Sequence, residues 1–190
     1  MRHLSFVGLL LMILFLVVSC TSSVQKKVPA TKQEDACSIY LLLDTGEANK
    51  CYRDAGIATK NPSLCDKIEH PPLETECFYW VGVGLNDSDS CTKIPNPFWK
   101  EGCLLKVGLA TKEISVCNLL QTSSAKENCL FNIGKDKKDI NICDKLSSPS
   151  KWRCYTEIAV AKKDPPLCGQ ISSEVFKDAC YNKLTESNQS

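Results

Sequence analysis

The spacing of the cysteines constrains the fold of this chain more than any other feature. Twelve of the thirteen cysteines lie between residues 37 and 180, and from Cys51 onward steps of fourteen residues alternate with steps of eleven or twelve. This alternation defines an internal repeat of about 26 residues. An even set of regularly spaced cysteines is typical of a disulfide framework. The set comprises Cys37, Cys51, Cys65, Cys77, Cys91, Cys103, Cys117, Cys129, Cys143, Cys154, Cys168 and Cys180.

A pattern of apolar residues follows every second cysteine and predicts a helix. In CYRDAGIA at Cys51 and CLLKVGLA at Cys103, apolar or small residues occupy the cysteine position and the positions one, four and five places after it. These positions form one face of an α-helix. The last position is glycine four times, at Gly56, Gly82, Gly108 and Gly134. Because glycine costs a helix about 1 kcal/mol relative to alanine, its recurrence predicts a neighbouring helix in close contact. Drift among recently duplicated copies is the alternative.

The other cysteines belong to a second, shorter pattern, as in NPSLCDKI and DINICDKL. Four places before the cysteine stand Asn61, Asp87, Glu113, Asp139 and Asp164. Most of these are favoured N-cap residues, and Pro62 and Pro165 follow at the position where a helix tolerates proline. Each repeat is therefore predicted to be a short helix, a turn and a longer helix. The predicted fold is an all-α, solenoid-like array of about six hairpins, each closed by a disulfide.

Two neighbour pairings of the cysteines are compatible with this array. Pairing across the hairpin turns joins Cys65 to Cys77, whose midpoint is Pro71, and joins Cys37 to Cys51. Every midpoint of this pairing falls in or beside residues typical of turns. The shifted pairing begins with Cys51 and Cys65 and leaves Cys37 and Cys180 unpaired, although it fits the constant step of fourteen. We favour the pairing across the turns.

The N-terminal residues predict export and a lipid anchor. A basic start is followed by the apolar run from Leu4 to Val18, which is typical of a secretory signal and too short to span a bilayer core of about 30 Å. The sequence Leu16-Val17-Val18-Ser19-Cys20 resembles the lipobox of prokaryotic membrane lipoproteins. The resemblance implies cleavage before Cys20 and lipid attachment to it, whereas the alternative is an ordinary secretory signal.

The predicted organisation follows from that cleavage site. Residues 1–19 form the signal peptide, residues 20–34 a lipidated flexible tether, residues 35–184 the cysteine-rich repeat domain and residues 185–190 a disordered tail. Without the leader the chain has 22 basic and 22 acidic residues, a neutral balance that gives no support for nucleic-acid binding. The predicted location is the extracytoplasmic side of a membrane, where disulfides persist.

No catalytic, metal or cofactor site is predicted. The sequence contains no CxxC, CxH or HxxxH motif, and His70 is the only histidine that remains after cleavage. Pairing of all twelve repeat cysteines leaves no free thiolate for nucleophilic chemistry. Asn86 and Asn188 stand in formal N-glycosylation sequons whose use depends on the host.

Aromatic residues cluster in two consecutive repeats near the centre of the array. They are Phe78, Tyr79, Trp80, Phe98 and Trp99, and we predict them as candidate partner-binding residues. Packing between neighbouring repeats is the alternative.

The predicted function follows from the architecture. The array resembles cysteine-rich, tetratricopeptide-like solenoids, which implies an extended surface suited to protein or peptide binding. We therefore predict a membrane-anchored, non-catalytic binding or scaffolding module at the cell envelope. The alternatives are a structural envelope spacer without a specific ligand and a thiol-redox or hydrolytic enzyme with a dispersed site.

Overall fold

The computed structural model describes residues 37–40 and 44–187, and every regular element within these ranges is a helix. Residues 37–40 are helical and precede eleven further helices. In chain order these are α1 (Thr45–Thr59), α2 (Pro62–Cys65), α3 (Pro71–Leu85), α4 (Ser88–Thr92), α5 (Pro97–Thr111), α6 (Ile114–Asn118), α7 (Ser123–Lys137), α8 (Ile140–Cys143), α9 (Ser150–Lys162), α10 (Pro165–Gly169) and α11 (Glu174–Ser187). Short and long helices alternate, as predicted.

Each short helix and the long helix after it form a hairpin closed by one disulfide, and we number the hairpins 1 to 6 along the chain. The bonds join Cys37 with Cys51, Cys65 with Cys77, Cys91 with Cys103, Cys117 with Cys129, Cys143 with Cys154 and Cys168 with Cys180. The paired Cα atoms are 5.5 to 5.7 Å apart, within the range that disulfides prefer. The pairing across the hairpin turns is thus confirmed.

The predicted N-cap residues all stand at the starts of the short helices. The side chains of Asn61, Asp87 and Asp139 accept hydrogen bonds from backbone N–H groups of the first turn. Glu113 and Asp164 occupy the same position without a side-chain capping bond. The helix boundaries therefore follow the sequence pattern even where the cap contributes no hydrogen bond.

The first five long helices end in the same way. The residue after each helix has a left-handed backbone with φ between 53° and 56°; these residues are Lys60, Asn86, Lys112, Lys138 and Lys163. In hairpin 1 the next N–H, that of Asn61, donates to the carbonyl oxygen of Gly56 at 2.9 Å, which closes a Schellman-type ending. After α5 the N–H of Glu113 donates to the hydroxyl of Thr111 instead, so the left-handed residue is the shared feature that accounts for the constant step of fourteen residues.

Successive long helices pack side by side, and the predicted apolar stripe forms one continuous core between them. The recurring glycines lie where the disulfide of the next hairpin meets the preceding helix. A Cβ atom on Gly56 would lie 2.8 Å from the Sγ atom of Cys77, and one on Gly82 would lie 3.0 Å from the Sγ atom of Cys91. The close neighbour at these glycines is therefore a sulfur atom, and this refines the prediction of a helix in close contact.

Polar contacts also join neighbouring hairpins, through the residue two places before the long-helix cysteine. Asn49 accepts a hydrogen bond from the backbone N–H of Glu69 at 2.9 Å. Glu101 accepts hydrogen bonds from the N–H of Thr122 at 2.8 Å and from its hydroxyl at 2.6 Å. These side chains fix the turn of the following hairpin, so adjacent turns are held in register.

The last helix corrects one predicted boundary. Helix α11 continues to Ser187, so residues 185–187 are helical, in contrast to the predicted disordered tail at residues 185–190. The hydroxyl of Thr185 donates to the carbonyl oxygen of Asn182, and that of Ser187 donates to the carbonyl oxygen of Leu184. None of the helices in the described ranges is long and apolar enough to cross a membrane. The predicted signal peptide, Cys20, the tether and Asn188 lie outside the described residues.

Candidate binding face

Helix α3 separates its aromatic residues between the core and the surface. Its buried stripe includes Cys77, Phe78 and Val81, because residues four apart share one helix face. Phe78 and Tyr79 are only 1% and 7% exposed, whereas Trp80 is 50% exposed. Two of the five predicted contact residues are therefore buried, and Phe78 belongs to the packing between hairpins.

The other two exposed residues of the predicted aromatic set lie on the first turn of α5, where the cap fixes their position. The side chain of Asn96 accepts hydrogen bonds from the N–H groups of Phe98 and Trp99 at 3.0 and 3.2 Å. Pro97 occupies the first helical position, where its missing N–H is not needed. Phe98 is 81% exposed and Trp99 is 45% exposed. The cap thus holds two large apolar side chains at the surface.

The exposed rings are arranged around Tyr79. The centroids of Trp80 and Trp99 each lie 5.2 Å from that of Tyr79, with interplanar angles of 89° and 85°. Phe98 meets Trp99 edge to face at 6.4 Å. Such edge-to-face pairs favour fixed ring orientations. We call Trp80, Phe98 and Trp99, with Tyr79 beneath them, the aromatic face.

A groove lies on each side of Trp99. The Trp80 groove lies between hairpins 2 and 3 and has a volume of about 750 Å³. Its walls are formed by Pro71, Pro72, Thr75, Glu76, Tyr79, Trp80, Pro95, Asn96 and Trp99. Three prolines and three aromatic rings make most of this surface apolar, and Glu76 is its only charged residue.

The Phe98 groove is the equivalent space one hairpin further on, between hairpins 3 and 4, and has a volume of about 640 Å³. It includes Tyr79, Phe98 and Trp99 together with Leu119 of the next hairpin. Both volumes lie within the range of about 300 to 1,000 Å³ that ligand sites occupy. The aromatic face therefore consists of two adjoining apolar grooves.

Three charged residues line the grooves, Glu76 in the Trp80 groove and Lys100 and Glu101 in the Phe98 groove. The carboxylate of Glu76 lies 3.2 Å from the guanidinium of Arg53. Partial burial tends to raise the pKa of Glu101, but the hydrogen bonds from Thr122 hold it below its usual value. Within the described residues Lys100 forms no ion pair. Lys100 and Glu101 therefore both lack an ion-pair partner in the described part of the chain, but only the Glu101 carboxylate is occupied by hydrogen bonds.

Sequence reasoning missed one apolar contributor, Leu119, which is 41% exposed. It stands two places after the short-helix cysteine, a position that is lysine or glutamine in hairpins 2, 3, 5 and 6, for example Lys67 and Lys93, and isoleucine in hairpin 1. This exception was visible in the alignment of the repeats. It places a surface leucine opposite Phe98 and Trp99.

The remaining candidates for chemistry are dispersed. All twelve cysteines of the repeat are in disulfides, and eleven of them are fully buried. His70 is exposed at the N-cap of α3 without a side-chain capping bond. Across the part of the chain that the structure describes, no group of three or more potential metal ligands comes together.

The fold and its surface define the chain as an array of disulfide-closed helical hairpins with one aromatic face. No protein-family model matches the chain, and no curated protein or solved structure was found to match it. Inference about its role therefore rests on the fold and on the aromatic face.

Proposed function

We propose that this chain is a lipid-anchored, non-catalytic binding module of the cell envelope and that the aromatic face is its contact surface. The observation that carries the proposal is the exposure of Trp80, Phe98 and Trp99 beside two apolar grooves. Tryptophan and tyrosine are enriched among the residues that dominate binding energies. The helices that carry these rings are closed by disulfides, so the surface is pre-organised and little freedom is lost on binding.

Anchoring through Cys20 is the part of the proposal that the sequence supports. The lipobox-like residues from Leu16 to Cys20 provide the lipid site. Two or three acyl chains on one cysteine give stable membrane attachment, since each buried methylene contributes about 0.8 kcal/mol. Six structural disulfides fit an oxidising compartment outside the cytoplasm. The module would thus present its aromatic face to partners at the membrane surface.

Two alternatives are less well supported. A spacer without a ligand does not require three large aromatic side chains at the surface, where solvent exposure is unfavourable. A thiol-redox enzyme requires an accessible thiolate, and the buried disulfides do not offer one. A hydrolase with a dispersed site has no specific observation in its favour.

The binding role can be tested by crosslinking in cells that produce the full chain. We expect the wild-type protein to form specific crosslinks that Trp80→Ala combined with Trp99→Ala abolishes. Tyr181→Ala is the matched control, because Tyr181 is exposed on α11, away from the grooves. If the double variant keeps the wild-type crosslinks while remaining folded, the aromatic face is not the contact surface.

Membrane attachment has an independent test. Replacing Cys20 by serine removes the lipid acceptor, so we expect the variant to incorporate no labelled palmitate, whereas the wild-type chain is labelled. Labelling of the Cys20→Ser protein, or no labelling of the wild type, would contradict the lipid anchor. This experiment does not depend on the identity of the partner.

A further inference from the structure

The two grooves repeat at the spacing of the hairpins. They lie between hairpins 2 and 3 and between hairpins 3 and 4, and Tyr79 and Trp99 line both. Packed helices are separated by about 8 to 10 Å. A ligand that lies along the array therefore meets two apolar grooves at this interval, with the Trp99 side chain between them.

A polyproline II helix has the matching period. It has three residues per turn and rises about 3.1 Å per residue, so equivalent side chains recur about every 9 Å. Aromatic-lined grooves are the recognised binding sites for such segments, because the ligand is already extended and loses little entropy. We propose that the two grooves together bind one proline-rich segment, with a proline of a Pro-x-x-Pro pattern in each. The inference rests on the proposed function, since it names the partner of the same face.

The hydrogen-bonding groups of the face complement such a ligand. Proline has no N–H, so a proline-rich backbone presents mainly carbonyl acceptors. The indole N–H groups of Trp80 and Trp99 donate no hydrogen bond within the described residues. The side-chain oxygen of Asn96 is used by the cap, which leaves its NH₂ group available as a donor. The grooves therefore offer donors to a ligand that supplies acceptors.

The charged residues of the grooves predict at which end of the ligand an acidic residue would lie. Lys100 in the Phe98 groove lacks an ion-pair partner in the described part of the chain, whereas Glu101 beside it is occupied by Thr122. An acidic residue at the end of the ligand that enters the Phe98 groove would pair with Lys100. Glu76 in the Trp80 groove lies beside Arg53, so that groove adds no unpaired charge. The expected ligand is thus apolar along both grooves and acidic at one end.

A membrane surface is the competing occupant. Exposed aromatic side chains also insert at the interface of a bilayer. Two concave grooves on either side of Trp99 fit an extended chain better than a flat surface. The peptide is therefore the occupant that the geometry favours.

The test is a titration of the full-length, oxidised protein in detergent micelles with a fluorescent peptide. The probe is a twelve-residue peptide with proline at every third position and two glutamates at its C-terminus. The matched control peptide has the same composition with its prolines irregularly spaced. We expect the regular peptide to bind at least tenfold more tightly than the control. Equal binding, or no binding, would overturn the proposal.

Variants locate the peptide. We expect Trp99→Ala and Phe98→Ser each to weaken binding at least tenfold, and Tyr181→Ala to leave it unchanged. Lys100→Gln should weaken the glutamate peptide about threefold, in the range of exposed charge pairs, and should have no effect on a peptide that ends in glutamine. Unchanged binding by folded Trp99→Ala protein would overturn the assignment.

Two outcomes separate this inference from the proposed function. If no peptide binds but the crosslinks still depend on Trp80 and Trp99, the peptide class is wrong and the binding role stands. If no peptide binds and the crosslinks do not depend on Trp80 and Trp99, both proposals fail. A third experiment measures the binding of the Cys20→Ser protein to vesicles of phosphatidylcholine and phosphatidylglycerol. Vesicle binding that depends on Trp99, without peptide binding, identifies the face as a membrane contact and overturns the proposal.

Discussion

The two sides of the long helices differ in how they vary along the chain. The inner side, which faces the next hairpin, repeats a cysteine, a large apolar residue, an aliphatic residue and usually glycine. On the outer side, the residue three places after the cysteine differs from each hairpin to the next, and only lysine occurs twice. Its occupants are Asp54, Trp80, Lys106, Asn132, Glu157 and Lys183.

This difference separates the residues that build the fold from those available for recognition. The inner side is constrained because the disulfides of hairpins 2 to 5 must each fit against the glycine of the long helix before them. In hairpin 5 the glycine position holds buried Ala159, and in hairpin 6 it holds exposed Thr185, where no further hairpin follows within the described residues. The outer side has no such constraint, so an aromatic residue such as Trp80 can occupy it in one hairpin alone.

Truncating one aromatic residue on each side gives the largest contrast. Phe78 is almost fully buried, so we expect Phe78→Ala to lower the free energy of unfolding by about 3 to 5 kcal/mol. Trp80→Ala, two positions away, should lower it by about 1 kcal/mol, because half of the side chain is already exposed. Urea unfolding followed by circular dichroism measures both. Equal losses would show that the two sides do not differ energetically.

Removing a disulfide tests whether the sulfur atoms also contribute to packing between hairpins. The disulfide between Cys91 and Cys103 joins residues 12 positions apart in the sequence, and that between Cys37 and Cys51 joins residues 14 positions apart. Chain entropy predicts similar losses of about 3 kcal/mol for the two. Replacing both Cys91 and Cys103 by alanine should cost about 1 to 2 kcal/mol more, because the sulfur contacts with Gly82 are also lost.

The matched variant for this comparison replaces Cys37 and Cys51 by alanine. Hairpin 1 is the first described, and its disulfide packs on no recurring glycine of an earlier hairpin. Chemical denaturation of the two double variants gives the difference. Indistinguishable losses would mean that the disulfides act only by closing loops.

Two glycines of one helix give a finer test of the inner side. A Cβ atom at Gly82 would lie 3.0 and 3.1 Å from the sulfur atoms of Cys91 and Cys103, whereas at Gly84 the nearest atom is 3.7 Å away, on Lys60. We expect Gly82→Ala to destabilise the protein by about 1 to 2 kcal/mol, since the crowding exceeds the gain in helix propensity. Gly84→Ala should stabilise it by up to about 1 kcal/mol. Thermal unfolding distinguishes these opposite signs, and a gain at both sites would contradict the tight joint.

Most of the fold could be predicted because the inner side carries a periodic signal. The cysteine midpoints identified the hairpin turns, and the apolar stripe identified the long helices. The cause of the recurring glycines could not be read in the same way, since the sulfur that approaches Gly56 belongs to Cys77 of the next hairpin. The extent of α11 was also missed, because Thr185, Glu186 and Ser187 are polar and do not continue the apolar stripe.

The aromatic face could be predicted only in part. Phe78, Tyr79 and Trp80 are consecutive, so composition alone cannot say which of them is exposed. The helical stripe assigns Phe78 to the core and Trp80 to the surface, but Tyr79 is buried through contacts with Trp99 of another hairpin. The grooves arise between hairpins, and their geometry depends on packing that no single repeat encodes.

The polar contacts between hairpins should add a smaller, pH-dependent contribution to the inner side. Glu127 of α7 accepts hydrogen bonds from the hydroxyls of Ser147 and Ser150, in and after the turn of the next hairpin. The bond from Ser147 is the main reason that the pKa of Glu127 lies below its usual value, and partial burial opposes it. A carboxylate with a lowered pKa in the folded state stabilises the protein fully above its unfolded pKa of about 4.3. That contribution is lost as the pH falls through the lower, folded value.

We therefore expect Glu127→Gln to reduce stability at pH 7 and to flatten the loss of stability between neutral and acidic pH. The glutamine still fills the site but cannot accept hydrogen bonds as an anion, so its contribution does not titrate. Glu113→Gln is the control, because Glu113 makes no side-chain capping bond. Urea midpoints measured from pH 7 to pH 2 give both profiles. If the profile of Glu127→Gln coincides with that of the wild type, Glu127 does not couple hairpins 4 and 5, and their joint depends on apolar packing, including the sulfur contacts with Gly134.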